Sequence, residues 1–233
     1  MSEELSMQEM GKKNGAMKHL WFYSIFEKAF ELIRYKKLTV VELGVRSGGS
    51  IKLWRDYFPN STIIGVDIDP VCLKTEGERI KILNAGQDSQ EVKDFILENS
   101  DSEFGPGADI IIDDASHITV LTLASLKLLL PILNYDGIYV IEDLHCSYLD
   151  FAAANVLSRP GMCHNDPNVD LRNDKNRNMM NDEFWKLIKM LDGNYGKLSS
   201  IQFYPYLCLL FKISKDCLKQ GIRAIEGEVT HKE

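Results

Sequence analysis

The sequence predicts an α/β fold built on a doubly wound, mostly parallel sheet. Short runs rich in β-branched residues alternate with amphipathic segments, as in strands joined by helical crossovers. These runs are nearly continuously apolar, which is typical of strands with helices on both faces. A final pair of apolar runs reads as an antiparallel hairpin, so we expect a Rossmann-like sheet of seven strands.

The elements follow in a regular order. Leu20, Tyr23, Phe26, Phe30 and Ile33 recur at helical spacing and predict a helix from Lys18 to about Tyr35. Five strands are then predicted at 38–43, 61–68, 79–83, 108–114 and 137–143. The predicted helices between them lie near 50–57, 89–97 and 120–133, with one further short helix after the second strand.

The last third of the chain departs from this alternation. Residues 150–182 are polar, rich in Asn and Asp and without a sustained period, which is typical of a functional lid or of a disordered segment; we interpret them as a lid. A helix near 183–191 and a hairpin over 199–214 follow. We therefore expect a helical cap (1–36) and one domain (37–233) into which the lid is inserted.

Composition excludes several classes of function. Lys and Arg total 27 against 34 Asp and Glu, a net charge of −7, and no basic run is interleaved with aromatic residues, so nucleic-acid binding is not expected. The longest apolar stretch, 118–133, is interrupted by Lys127 and Pro131 and is shorter than the roughly 20 residues that span a bilayer. The N-terminus lacks the apolar core of a secretory signal, and the five cysteines form no CxxC pair. These features predict a cytoplasmic protein with reduced thiols and no membrane span.

A glycine-rich loop follows the first strand, in the sequence ELGVRSGGS (42–50). Glycines let the backbone approach a ligand, and the next helix offers unpaired N–H groups, although a plain strand-to-helix turn has the same composition. Asp67, at the end of the second strand, is placed to accept hydrogen bonds from a ribose diol. Arg46 replaces the middle glycine of a dinucleotide fingerprint, and Glu42 disfavours phosphate. Together these features favour a nucleoside that carries a positive centre.

Four carboxylates follow the fourth and fifth strands: Asp113, Asp114, Glu142 and Asp143. Strands that neighbour each other in a parallel sheet bring such groups to one edge, where their repulsion must be neutralised. Neither segment contains Lys or Arg, which leaves shared protons or a bound cation; helix capping is the alternative role, favoured for Asp113 alone. Oxygen ligands favour Mg²⁺, with Mn²⁺ or Ca²⁺ as substitutes. Glu142 and Asp143 can both bind only if the strand ends near Ile141.

One histidine stands close to these acids. His117 lies three residues after Asp114, and a histidine of ordinary pKa is a competent base near neutral pH. An isolated exposed histidine is more often inert, and His145 and His164 are weaker candidates. We therefore predict His117 as the general base, with Asp114 beside it.

The strings VELGVRSGGS, GVDID, IIIDDASH and GIYVIEDLHCSY resemble class I S-adenosylmethionine-dependent methyltransferases. More narrowly, they resemble the metal-dependent sugar O-methyltransferases of macrolide tailoring and the cephalosporin-hydroxylase-like proteins. The resemblance spans about residues 11–148. It implies that residues 37–233 are the catalytic domain that binds S-adenosylmethionine.

The resemblance also implies roles for individual residues. Magnesium would be bound by Asp114, Glu142 and Asp143, with His117 as the base. The cofactor contacts it implies are Gly44, Ser47 and Gly48 at the methionine end, Asp67 at the ribose, and Gln87 or Asp88 at the adenine. Three flanking residues complete the predicted cofactor-binding set: Glu42, Ser50 and Asp113.

The expected activity is methyl transfer to a hydroxyl of a sugar or another small metabolite, such as a nucleotide-linked, phosphorylated or capsular precursor. The alternatives are an NAD(P)-dependent oxidoreductase on a similar sheet and a non-catalytic subunit that binds S-adenosylmethionine. Four basic residues of the lid are candidates for binding an anionic acceptor: Arg159, Arg172, Lys175 and Arg177. Five aromatic residues predict a homo-oligomer unless they are internal: Trp21, Phe22, Phe203, Tyr204 and Tyr206.

Overall fold

The chain forms one seven-stranded sheet in the order β3-β2-β1-β4-β5-β7-β6. The structure is a computed structural model, and it describes residues 5–148, 174–192, 198–217 and 219. Its strands are β1 (Thr39–Leu43), β2 (Thr62–Asp67), β3 (Ile80–Asn84), β4 (Ala108–Asp113), β5 (Leu133–Ile141), β6 (Leu198–Tyr204) and β7 (Leu207–Lys212). The first five are parallel, and β7 pairs antiparallel with both β5 and β6. The predicted fold class is confirmed.

Helices cover both faces of the sheet, and the central strands β1 and β4 are buried on both sides, whereas the edge strands β3 and β6 are partly exposed. The helices are α1 (Met7–Asn14), α2 (Leu20–Phe30), α3 (Gly49–Tyr57), α4 (Gln90–Asn99), α5 (Thr119–Leu129) and α6 (Asp174–Asp192). Neighbouring residues of β1 show the two layers: Val40 packs in the core beneath α1, α2 and α3, whereas Val41 packs in the core beneath α4, α5 and α6. This accounts for the continuously apolar strands.

The N-terminal segment differs from the predicted single helix. A separate helix, α1, precedes it and is capped by Ser6, whose side chain accepts from Glu9 N while Glu9 bonds back to the Ser6 backbone. Gly15 ends α1 in the left-handed conformation, and α2 begins only at Leu20. Lys18, predicted as the first residue of a helix, therefore lies in the non-helical connection between α1 and α2.

The two ends of β5 decide where the acidic residues lie. Pro131 falls in a short 3-10 turn after α5, so the predicted helix over 120–133 stops at Leu129 and β5 begins at Leu133. At its other end β5 stops at Ile141, and Asp143 has a left-handed φ of 52°. The strand thus ends where Glu142 and Asp143 are both released from the alternation of a strand.

The helix predicted at 183–191 is longer than expected and starts at Asp174. Residues 174–182 of the predicted lid are therefore helical; the rest of the lid, with Arg159 and Arg172, lies outside the described residues. Of the five aromatic residues considered for self-association, Phe22 is the internal one, because it is buried in the core. Within the described part of the chain, none of the helices combines the length and apolar character needed to cross a bilayer.

Candidate functional site

The glycine loop connects β1 to α3 and lies directly against the end of β4. Gly44 has φ 94°, and a Cβ there would lie 2.1 Å from the carbonyl oxygen of Asp114. Gly48 has φ 79° and occupies the N-cap position of α3. Ser47 is exposed beside it. The close approach of two backbones therefore requires glycine at position 44.

Asp67 binds the glycine loop through its carboxylate. Its Oδ2 accepts from Val45 N at 2.8 Å and from Arg46 N at 2.7 Å, and its Oδ1 accepts from Asp69 N at 2.9 Å. Arg46 has a left-handed φ of 51°, which presents its N–H to the same oxygen. Asp67 thus fixes the loop conformation, and a carboxylate that takes three donors retains about one free acceptor direction, on Oδ1.

Gln87 connects the ends of β3 and β4. Its Nε2 donates to Ser125 Oγ at 2.8 Å and to Asp113 Oδ1 at 3.2 Å, while its Oε1 accepts from Ser116 N at 3.1 Å. Burial raises the pKa of Asp113 to about 7. Asp113 is 3% exposed, and the helix that follows β4, α5, has Ile118 at its N-cap, so the helix-capping role favoured for Asp113 is wrong. Asp88 is exposed one residue further on.

The ends of β4 and β5 bring together the predicted base and two of the predicted acids. Asp113 is in register with Ile141. His117 Nε2 lies 3.9 Å from Asp114 Oδ1 and 3.6 Å from Asp143 Oδ2. One ligand atom from each of these three residues lies within 4.8 Å of the other two, which is a spacing that can hold a metal ion. We refer to Asp114, His117 and Asp143 as the outer cluster.

Backbone strain coincides with the outer cluster. His117 has φ 58° and Asp143 has φ 52°, in a region that costs L-residues other than Gly of order 1 to 3 kcal/mol each. Asp143 Oδ1 is buried without a hydrogen-bond partner. Strained backbone and an unsatisfied carboxylate oxygen at one point are typical of a site that binds something.

Glu42 and Glu142 lie deeper and share one cation, Lys18. The Lys18 ammonium is 3.0 Å from Glu42 Oε1, 2.7 Å from Glu142 Oε1 and 2.6 Å from Asp114 Oδ2, and its side chain is 1% exposed. The second oxygen of Glu42 accepts from Ser50 Oγ at 2.7 Å. The expectation that only a bound cation or shared protons could neutralise these acids is therefore wrong, because a lysine from outside both segments reaches them.

Burial and charge act together on these groups. Burial raises the pKa of Glu142 well above its usual range and also raises the pKa of Glu42. Burial disfavours the charged form of Lys18 as well, but the carboxylates of Asp114, Glu142 and Glu42 outweigh it and raise the Lys18 pKa well above its ordinary value. The lysine is therefore charged at neutral pH.

The sequence patterns did not identify Lys18 as a site residue because it was assigned to the predicted helix that starts there. Between Asn14 and Glu27, Lys18 and His19 are the only residues with a basic side chain, and the others are apolar or uncharged. A lone lysine in such a segment is either exposed or buried with a partner. That signal identifies a candidate cation for the acidic edge, although it does not say which acids it meets.

Aromatic rings border the outer cluster on one side. His19 Nε2 lies 3.6 Å and His145 Nδ1 lies 3.9 Å from Asp143 Oδ1. Tyr206 packs 4.1 Å from the His145 ring, and Trp21 stacks 4.4 Å from the His19 ring. Trp21 and Tyr206 are 42% and 37% exposed, so this aromatic rim, His19, Trp21, His145 and Tyr206, opens to solvent.

Comparison with known proteins places these features in context. No protein-family model matches the chain. Over 135 residues, 55% of this chain and 33% of the relative, it is 37% identical to 8-demethyl-8-(2-methoxy-alpha-L-rhamnosyl)-tetracenomycin-C 3'-O-methyltransferase of Streptomyces olivaceus. Over 152 residues it is 33% identical to mycinamicin VI 2''-O-methyltransferase of Micromonospora griseorubida. The chain spans about a third of the length of these curated relatives.

Solved structures decide the fold. The methyltransferase MycE of the mycinamycin biosynthetic pathway, in complex with Mg and S-adenosylhomocysteine (SAH), superimposes with a TM-score of 0.69 at 24% identity, over 92% of this chain and 56% of that one. The fold is that of a class I methyltransferase. An SAH-bound methyltransferase of Podospora anserina shares this methyltransferase fold, with a TM-score of 0.55 over 90% of this chain at 12% identity. The resemblance drawn from the sequence motifs is confirmed by both kinds of comparison.

Proposed function

We propose that this chain transfers a methyl group from S-adenosylmethionine to a hydroxyl group of a sugar, with Mg²⁺ bound at the outer cluster. The observation that carries this proposal is the convergence of Asp114, His117 and Asp143 beside the glycine loop. The similarity to O-methyltransferases of sugar-bearing natural products supports the substrate class.

The outer cluster fits a hard divalent cation. Asp114 and Asp143 offer carboxylate oxygens, the donors that Mg²⁺ prefers, and Mn²⁺ or Ca²⁺ would be accepted by the same set. Asp143 Oδ1 accepts no hydrogen bond, although His19 and His145 lie within 4 Å of it, and this oxygen and the strained backbone at Asp143 fit a residue held ready for a ligand. The third predicted ligand, Glu142, is bonded to Lys18, and we propose that it supports Asp114 indirectly.

The cofactor would lie across the carboxyl ends of β1 and β2. We propose that Gly44, Ser47 and Gly48 line its methionine end, and that Asp67 accepts from the ribose through the acceptor direction left on Oδ1. Gln87 or the exposed Asp88 would face the adenine. Glu42 and Ser50 bond to each other beneath the loop, and Asp113 bonds to Gln87, so these three would stabilise the cofactor site from behind.

His117 would move the proton. Its Nε2 accepts the hydrogen of the acceptor hydroxyl, while the oxygen forms a bond to the methyl carbon and the carbon–sulfur bond breaks, leaving SAH. Asp114 and Asp143, each within 4 Å of Nε2, would stabilise the imidazolium that results. Mg²⁺ would supply a Lewis acid that lowers the pKa of a nearby hydroxyl. Alignment of the reacting atoms could contribute about 7 to 11 kcal/mol.

The aromatic rim supports a sugar as the acceptor. Rings such as Trp21 and Tyr206 offer broad apolar faces against which the C–H face of a pyranose packs, and they adjoin Asp143 through His19 and His145. An anionic acceptor is less well supported, because Arg177 donates to Ser147 Oγ at 3.0 Å and lies over the Tyr148 ring. Lys175 is exposed on α6.

A turnover screen tests the proposed function. The protein would be given S-adenosylmethionine, Mg²⁺ and a panel of rhamnosyl and olivosyl glycosides, including mycinamicin VI, and SAH formation would be measured. We expect SAH with at least one glycoside. Binding of NADH in place of S-adenosylmethionine in a calorimetric titration would instead favour an oxidoreductase. Binding of S-adenosylmethionine with no turnover across the panel would favour a non-catalytic subunit.

We also propose that the protein acts in the cytoplasm as a homo-oligomer. Phe203 and Tyr204 on β6 and Trp185 on α6 are 50%, 38% and 60% exposed, and they adjoin through the contact of Phe203 with Phe184. Sedimentation equilibrium of the purified chain tests this: a single species of monomer mass would contradict it.

A further inference from the structure

We infer that Lys18 is a positioning residue: its ammonium occupies the space between Glu42, Glu142 and Asp114 and confines a divalent cation to the outer cluster. This inference rests on the proposed function, because it concerns the metal that function requires. It assigns Glu142 as a partner of Lys18 instead of a metal ligand.

Each of the three N–H donors of the Lys18 ammonium has one carboxylate acceptor. These oxygens lie 3.0 Å, 2.7 Å and 2.6 Å from the nitrogen, on Glu42, Glu142 and Asp114 respectively. The side chain is 1% exposed, so the donors do not face solvent. A second cation cannot share this position with an ammonium that already holds all three acids.

Asp114 connects the two charge groups through its two oxygens. Its Oδ2 bonds to Lys18, whereas its Oδ1 is the oxygen closest to His117 Nε2, at 3.9 Å. A carboxylate with one oxygen fixed by a buried lysine can rotate little, and this directs Oδ1 towards His117 and Asp143. Groups that orient a ligand in this way commonly change metal affinity when they are removed.

The packing of the N-terminal segment places Lys18 next to the three acids. The left-handed Gly15 turns the chain after α1, and Ala16 N donates to Gly11 O at 2.9 Å. The segment then lies against the start of α3, where a Cβ on Gly49 would be 2.3 Å from Gly15 O. The Trp54 ring lies beneath the ammonium at 5.9 Å. The lysine therefore reaches the acids from a firmly packed connection.

Two consequences for metal binding follow. While Lys18 is in place, neutralising Glu142 removes an attractive charge from the surroundings of the metal but no ligand atom. When Lys18 is replaced by a neutral side chain, the repulsion between its charge and a dication disappears, and Glu42 and Glu142 become available to the metal. The metal affinity then rises and comes to depend on Glu142.

A double-mutant cycle on Mn²⁺ binding tests this, with Mn²⁺ as a probe for Mg²⁺. Calorimetry and electron paramagnetic resonance would measure Mn²⁺ affinity for the whole chain, for Lys18→Met, for Glu142→Gln and for the double variant. Lys18→Arg keeps the charge, and Lys12→Met on the exposed face of α1 is the matched control. Circular dichroism and S-adenosylmethionine binding check that each variant folds.

We expect Glu142→Gln to weaken the Mn²⁺ binding of the whole chain by only a few fold, because an attractive charge is lost but no ligand atom, and Lys18→Met to tighten it by about tenfold or more. In the Lys18→Met background, Glu142→Gln should weaken binding by about tenfold. Lys18→Arg and Lys12→Met should resemble the unaltered chain. If Lys18→Met does not fold, the Glu142→Gln and Lys18→Arg measurements alone decide.

The opposite pattern would overturn the inference. A tenfold loss of Mn²⁺ affinity in Glu142→Gln, with no change in Lys18→Met, would make Glu142 a ligand and Lys18 a bystander. Binding of Mn²⁺ to Lys18→Met but not to the unaltered chain would show that Lys18 excludes the cation from this edge altogether, which refutes both its confinement to the outer cluster and the metal in the proposed function. If neither binds Mn²⁺, both are refuted.

Discussion

His117 and Asp143 face each other across the edge of the sheet, with Nε2 3.6 Å from Oδ2, and both have a left-handed backbone. One follows β4 and the other follows β5, so the register between these two strands sets their separation. The imidazole is thereby held against a carboxylate at the point where we propose that the acceptor is deprotonated.

Replacing the proposed base should abolish most of the turnover. We expect His117→Ala to lower kcat by roughly 10²- to 10⁴-fold, because the acceptor hydroxyl loses the group that takes its proton. S-adenosylmethionine affinity, measured by calorimetry, should stay within about twofold, since His117 is not among the residues proposed to hold the cofactor. Turnover equal to that of the unaltered chain would remove His117 as the base.

Removing the metal should stop methyl transfer reversibly. We expect EDTA-treated protein to form no SAH and added Mg²⁺ to restore it. Asp143→Asn should raise the Mg²⁺ concentration needed for half-maximal activity by about 10- to 100-fold, because the charged carboxylate ligand is replaced by a neutral amide oxygen, which binds Mg²⁺ more weakly. Full activity in EDTA would show that the acids at this edge serve another purpose.

The glycine loop should tolerate no side chain at position 44. Gly44→Ala places a Cβ 2.1 Å from Asp114 O, so we expect a loss of about 3 kcal/mol or more in the free energy of unfolding, together with weaker S-adenosylmethionine binding. Gly15→Ala is the matched control: it has a similar φ of 73° but open space around the new Cβ, and should lose only about 1 to 2 kcal/mol. Equal losses in urea denaturation would contradict the close approach.

The aromatic rim should determine acceptor affinity. Trp21→Ala should raise the KM for the best glycoside by about tenfold while the affinity for S-adenosylmethionine is unchanged, because an exposed ring face that borders the outer cluster is lost. Trp185→Ala, at a still more exposed tryptophan on α6 away from the rim, is the control. If both variants have the KM of the unaltered chain, the acceptor does not lie on this rim.

One buried acid away from the site should make stability depend on pH. Burial raises the pKa of Asp109, which accepts from Thr39 N at 2.7 Å and from Asn134 Nδ2 at 2.8 Å. The folded chain therefore binds a proton at Asp109 more tightly than the unfolded chain does. The resulting stabilisation is complete below the ordinary pKa of 3.8 and is lost as the pH rises through the raised pKa of the folded chain.

Thermal unfolding of Asp109→Asn measures this contribution. We expect its Tm to fall less than that of the unaltered chain as the pH rises through this range. Asp94→Asn, exposed on α4, should follow the unaltered chain. An identical pH dependence for all three would mean that Asp109 has the same pKa in the folded and unfolded chains.

Local patterns were sufficient to predict most of the fold. The apolar runs that became β1 and β4 are buried along their whole length, so their continuously apolar composition follows from packing on both faces of the sheet. The helix boundary at Lys18 was wrong because the apolar spacing of α2 continues into a connection whose geometry is set by Gly15 and by packing on α3. The capping box of Ser6 and Glu9 was the local signal for α1.

The site was predicted only where its residues follow strands. The sequence predicts that Asp114, His117 and Asp143 converge, because the ends of neighbouring parallel strands meet at one edge of the sheet. The position of Lys18 could not be predicted in this way, because it is 96 residues from Asp114 in sequence and reaches it through the packing of the N-terminal segment. The same tertiary contact separates Glu142 from the outer cluster, which no spacing in the sequence reveals.

A crystal of the protein grown with Mn²⁺ and SAH tests the central claim most directly. The account predicts one anomalous peak in contact with Asp114 Oδ1 and Asp143, beside His117, with the Lys18 ammonium still bonded to Glu42 and Glu142. A peak between Glu42 and Glu142 with Lys18 displaced, or no peak at this edge of the sheet, would contradict it.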